Sequence, residues 1–218
     1  MKHIMIDLEM NSINKENQEV RAFLKREIIE IGAVMMDEDY KIIKKLNVYI
    51  KPQFNPIVDK IEKLTGISNA VVFESKGFNS AMQEFLDWID DEDLTIYSWS
   101  EHDYVQMKKE CQYKEFSSEK LDHLFNHWVD FQQEFGNLLG IEKKIALNYA
   151  LGAAELSFEG REHNALDDAL NTAHILQLSR NKEEFEKVMQ PIIELFRPKE
   201  TTYSIGDLIP KEFLDSLK

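Results

Sequence analysis

The chain is short of positive charge, of cysteine and of long apolar runs, and each shortage excludes a class of protein. Forty acidic side chains face 26 lysines and arginines, a net charge of -14. Proteins that hold long nucleic acid by broad electrostatic contact neutralise many phosphates with Lys and Arg, so that mode is excluded. A site that grips only a few nucleotides is not excluded, because clustered carboxylates recruit divalent cations that become the largest local positive charges. The basic pairs Lys44-Lys45, Lys108-Lys109 and Lys143-Lys144 read as solvated surface. The single cysteine, Cys111, rules out an internal disulfide framework and a multi-cysteine zinc site, and suits a reducing cytoplasm. No apolar run approaches the roughly 18 residues needed to cross a bilayer, and the opening MKHIMIDLEM meets an acid at Asp7. A soluble cytoplasmic protein with no membrane partner is expected.

What is present is an α/β pattern. A chain of 218 residues, 43% of them hydrophobic, can bury the core of one ordinary domain with additions. HIMID at 3–7, IIEIGAVMM at 28–36 and IIKKLNVYI at 42–50 read as strands, with the acidic DEDY as the turn between the last two. They form a β-meander, and residues 10–26 are its polar connection or a short helix beside the candidate site. Pro52 and Pro56, two of only five prolines, end the meander. Helical spacing then predicts helices over 57–64, 78–90, 101–112, 131–139, 145–154 and 165–180, with strands at 94–99 and 127–130. From 181 the chain reads as a charged helix and tail, which divides it into a domain of residues 1–180 and an appendage of residues 181–218.

Three pieces carry chemistry. Asp7 and Glu9 are two apart on a strand, so their carboxylates share a face and repel unless a cation joins them. The spacing alone is not specific, since Asp90-x-Glu92 repeats it in an acidic run. His163 and Asp168 stand five apart where a loop enters a helix, and Asp168 shares a face with Ala165, Thr172 and Ile175. It should point inward, while Asp167, in line with Asn171 and His174, should face solvent as a favourable charge at a helix N-terminus. Asp103 follows the strand at 94–99, the edge where α/β sheets place their sites. Ser100-x-x-Asp103 also approximates a helix capping box. His3, His102, His123, His127 and His174 read as surface or core.

In this order the residues resemble the DEDDh exonucleases of the ribonuclease-H-like fold. EIIEIGAV at 27–34, LTGI at 64–67, SWSEHD at 98–103 and LSFEGREHNALDDALN at 156–171 narrow the resemblance to the ERI-1-like 3′-5′ exoribonucleases, over about residues 2–180. It implies a five-stranded mixed sheet flanked by helices. It also implies that Asp7, Glu9 and Asp168 ligate one Mg²⁺ or Mn²⁺, that Asp7 bridges to a second, and that Asp103 acts directly or through water. By the same resemblance His163 takes the proton of the attacking water, a task that suits an imidazole at neutral pH. Glu9 and the backbone near Met10 would meet the 3′-terminal sugar, and Thr65 and Trp99 are candidates either for terminal-nucleotide contacts or for turn and core packing. The connection at 10–26 is longer than such a family requires, and no accessory RNA-binding domain of SAP type is expected. With the acidic charge this favours short single-stranded 3′ ends, while LTGI, SWSEHD and the segment leading into His163 imply RNA before DNA; a monomer is expected. Two other readings stand beside this one: a DNA-directed or proofreading exonuclease, and a sporulation-inhibitor-like regulator acting through partners. For the latter, Ile205, Leu208, Ile209, Phe213 and Leu217 of the tail would supply a protein-binding surface.

Overall fold

Alternation of apolar and polar side chains along the first strand decides how the layers assemble. In the computed structural model, which describes residues 1–90 and 93–196, β1 (Lys2–Ser12) sits at the centre of a five-stranded sheet. Its neighbours are β2 (Arg26–Met36) on one side and β4 (Leu94–Ser98) on the other, with β3 (Ile42–Tyr49) and β5 (Trp128–Asp130) at the edges. The order is β3-β2-β1-β4-β5; β1, β2 and β3 are antiparallel, and β4 and β5 run parallel to β1. This is the mixed sheet expected, with the meander first.

Ile4, Ile6 and Leu8 point to one face, where α4 (Phe78–Trp88), α5 (Glu101–Tyr113) and α6 (Glu119–Asn126) cover them with Phe85, Met107 and Leu121. Met5 points to the other face, joined by Val34 and Met36 from β2. There α7 (Phe131–Leu139), α8 (Leu147–Ala153) and α9 (Ala165–Arg180) supply Phe131, Phe135, Ala150 and Ala169. Phe131 and Phe135 are fully buried, each worth about 1.5–3 kcal/mol of removed apolar surface.

Several elements depart from the sequence reading. β1 does not stop where its apolar residues stop. It continues past a bulge between Glu9 and Met10 and pairs Asn11 and Ser12 with Glu27 and Arg26. Glu9 is therefore inside the strand, next to the bulge, and such bulges re-aim side chains beside sites. Only α1 (Gln18–Phe23) of the long connection is helical. The helix α2 (Asp59–Thr65) ends at Gly66, whose φ of 71° is the left-handed cap that Thr65-Gly66 signalled. Two short helices were not foreseen, α3 (Asn69–Phe73) and α6, whose Leu121 and Leu124 are too few to show a period. The last described helix, α10 (Lys182–Phe196), buries Phe185 and Met189 in the same core as α7 and α9. The packing therefore has no break at residue 181. Glu92 and the tail residues Ile205, Leu208, Ile209, Phe213 and Leu217 lie outside the described residues.

Candidate active site

The register of β1 against β2 sets up the site. Asp7 pairs with Gly32 and Glu9 with Glu30, so two carboxylates on the central strand lie beside two β2 positions on the same face. That face receives the first turn of α9. A Cβ built on Gly32 would stand 2.1 Å from the backbone of Ala165 and Leu166, so only a residue without one lets the helix approach this closely. Because Gly32 is cross-strand from Asp7, that close approach brings Asp168 to the β1 acids. Replacing Gly32 by Ala should therefore displace the start of α9. We expect a loss of about 1–3 kcal/mol in thermal or urea unfolding together with loss of the site's activity. Unchanged stability and activity in this variant would show that the contact is not needed.

Ligand atoms of Glu9, His163 and Asp168 lie within 4.8 Å of one another. Glu9 is buried, and its carboxyl is pushed up to about 8, first by loss of water and then by Asp168, Glu30 and Asp103. Asp7 is held well above the usual range by burial and then by Asp103, Asp168 and Glu9. Asp103 is only 6% exposed and is pushed up to about 7, burial and Asp168 outweighing the backbone N–H groups of Asp103 and Leu8 against it. Asp168 also rises to about 7, by burial and its acidic neighbours, although it accepts the His163 backbone N–H at 3.0 Å. None of these four carboxylates, among the described residues, forms an ion pair with Lys or Arg. Four crowded acids without a cationic partner, with an imidazole beside them, are a donor set that suits divalent Mg²⁺ or Mn²⁺.

Asp103 is not the helix cap. Ser100 caps α5 by accepting the His102 N–H, and the Asp103 carboxylate turns instead toward Leu8 of β1. His163 is exposed and carries a φ of 63°, a left-handed conformation uncommon for a residue with a side chain. Asp167 and Asn171, expected at the solvent face, hold this strained turn. Asp167 accepts the Arg161 N–H at 2.8 Å, while fully buried Asn171 binds both the N–H and C=O of Glu159. A cavity of about 210 Å³ opens beside His163 and Asp168, walled by Leu147 and Phe158.

Thr65 and Trp99 each sit in a packed position. Thr65 is 3% exposed, and its hydroxyl donates to Ile61 C=O and accepts from Ile67 N–H, closing the end of α2. Trp99 is 8% exposed, donates its indole N–H to Ile145 C=O, and packs on Phe131 and Phe135. Helix termination and core packing occupy these side chains. Met10, beyond the bulge, is half-buried against the α4–α5 side. The sequence reading missed Glu30, Gly32 and Asn164. The signal was available in IIEIGAV, an otherwise apolar buried strand interrupted by one charge and one glycine.

The family model for the exonuclease domain RNase_T matches residues 4–176, which contain all five candidate residues. The chain belongs to the RNase T exonuclease family. Among curated proteins, this chain is 30% identical over 172 residues to ERI1 exoribonuclease 2 of Mus musculus, a match covering 67% of this chain and 24% of that protein. The chain thus corresponds to about a quarter of that relative's length. Among solved structures, it superposes on the nuclease domain of 3′hExo, a DEDDh family member bound to rAMP. The TM-score is 0.71 at 21% identity, over 84% of this chain and 94% of the other. It also matches S. pombe Pop2p in its Mg²⁺- and Mn²⁺-bound form, with a TM-score of 0.61 at 20% identity over 84% of each chain. At those identities the two structures establish the shared ribonuclease-H-like architecture. No described helix is long and apolar enough to cross a membrane.

Proposed function

We propose that this exonuclease hydrolyses single-stranded RNA from its 3′ end, releasing nucleoside 5′-monophosphates. The observation that carries the reading is the convergence of Glu9, His163 and Asp168 within 4.8 Å, with Asp7 and Asp103 raised first by burial and then by neighbouring acids. Asp7, Glu9 and Asp168 would hold one divalent ion, Asp7 would share a second, and Asp103 would assist directly or through water. Bound there, the pair would stabilise the charge that develops on the attacking and leaving oxygens of the phosphodiester.

The protein's own groups do the rest. His163 accepts the proton of a water whose oxygen bonds to phosphorus, and the bond from phosphorus to the 3′-oxygen of the preceding nucleotide breaks. The fixed backbone of His163, tied to Asp168, holds the imidazole at the mouth of the site, where an incoming end meets it. Glu9 and the Met10 backbone would meet the terminal sugar, a reading supported by the bulge between them beside the acid cluster. The apolar wall of Leu147 and Phe158 offers a nucleobase a surface that carries no charge. The likeness to an exoribonuclease and to a domain that binds rAMP supports RNA.

Matched 5′-labelled RNA and DNA oligonucleotides test the substrate. Stepwise shortening of RNA from the 3′ end, stopped by a chelator and restored by Mn²⁺, is expected. DNA degraded much faster than RNA would overturn the choice of sugar, and internal cleavage would overturn the direction.

A further inference from the structure

Glu30 is a buried acid in the middle of β2, 0% exposed, directly opposite Glu9. An acid there adds to the repulsion felt by Glu9. Its two oxygens are also committed to donors from the start of α9. Oε1 accepts the Asn164 side-chain N–H at 3.1 Å, and Oε2 accepts the Ala165 backbone N–H at 3.1 Å. Asn47 and Tyr49 of β3 hydrogen-bond to the same carboxyl. Asn164 cannot turn round to suit a different partner. Its Oδ1 caps the helix by accepting the Asp167 N–H at 3.1 Å, which leaves its amide N–H for Glu30.

We propose that Glu30 is a positioning residue of the exonuclease centre, fixing the turn that carries His163 and Asp168 against the strand that carries Asp7 and Glu9. The proposal rests on the reading of the centre given above. Gly32 lets the helix approach, and Glu30 sets where along the strand it stops. Asn164 and Ala165 lie between His163 and Asp168 in the chain, so both candidate groups inherit their place from this one carboxylate. Supporting hydrogen bonds of this kind orient the ligands of a metal site and tune its affinity.

The variant that tests it is Glu30→Gln. It keeps the volume but has one accepting oxygen, and its amide meets a donor where Asn164 or Ala165 needs an acceptor. Three measurements are made on the full chain: Mn²⁺ binding followed by electron paramagnetic resonance, steady-state hydrolysis of an RNA oligonucleotide, and hydrogen–deuterium exchange. A second variant, Phe85→Leu, alters the core on the opposite face and controls for a simple loss of stability. For Glu30→Gln we expect Mn²⁺ affinity and kcat each to fall about tenfold or more, with KM changed by less than about threefold. Exchange should quicken at residues 163–168. Phe85→Leu should keep wild-type Mn²⁺ affinity and exchange at 163–168. Equal loss of affinity in both variants, or wild-type behaviour in Glu30→Gln, overturns the proposal. If the wild-type chain binds no Mn²⁺ and cleaves no RNA, the reading of the centre fails. Exchange at 163–168 then still decides whether Glu30 holds this turn, and no change there rejects it.

Discussion

Replacing Asp7 by Ala should abolish hydrolysis of RNA 3′ ends, by on the order of 10³-fold or more, while making the metal-free protein at pH 8 at least as stable as the wild type. The two halves of this result have one cause. Asp7 lies among Asp103, Asp168 and Glu9, and burial with those neighbours holds its carboxyl well above the ordinary range. An acid in that position costs free energy to ionise, and no Lys or Arg among the described residues pairs with it. Such an arrangement persists because the charge serves something other than folding. Removing it relieves repulsion and deletes the ligand expected to be shared between two ions. Activity is read on a 5′-labelled RNA oligonucleotide, and stability by thermal unfolding in a chelator at pH 8. Retained hydrolysis would remove Asp7 from the centre. Lost hydrolysis with a severely destabilised fold would give it a structural role instead.

The same residues show what a sequence can and cannot disclose. Asp7 and Glu9 were legible because strand periodicity puts positions two apart on one face, and His163 and Asp168 because a loop-to-helix junction has its own pattern. Asp103 was ambiguous on paper, since Ser100 upstream imitates a capping box. Only the turn of its carboxylate toward Leu8 separates the two roles. Glu30 and Gly32 stand out in an apolar strand, but their role is not legible there, because it lies in a strand register and in a helix that begins 135 positions after Glu30. Thr65 and Trp99 each lie in a motif that resembles the family and are each also held by local packing, so the motif alone does not separate substrate contact from packing. Asp167 and Asn171 were assigned to solvent by helical phase alone, which takes no account of a loop folding back over the helix. Local pattern fixed the elements and their faces, and long-range close approach fixed the site.

Stability should also depend on pH and metal together, and the sign follows from the raised carboxyls. Glu9 rises to about 8, and Asp103 and Asp168 to about 7, from ordinary carboxylate values near 4. Between about pH 4 and 8 the metal-free folded chain therefore holds protons that the unfolded chain has released. A group whose folded pKa is raised contributes stability that is complete below its unfolded value and is lost as pH rises through the folded one. Metal-free stability should fall across that window. Divalent ions need the deprotonated carboxylates, so they stabilise little near pH 5.5 and most near pH 8. The quantity to read is the difference in melting temperature with and without Mn²⁺. Glu110, also raised by burial, bends the absolute curve in the same direction, but it sits away from the cluster beside Lys114 and cancels in the difference. We expect the Mn²⁺-dependent shift to be larger at pH 8 than at pH 5.5 by about 5–10 °C, and to vanish in Asp7→Ala. A shift equal at both pH values would mean that Mn²⁺ binds somewhere other than these acids. A shift that survives in Asp7→Ala would place the ion outside the reach of Asp7 and leave the bridging role without support.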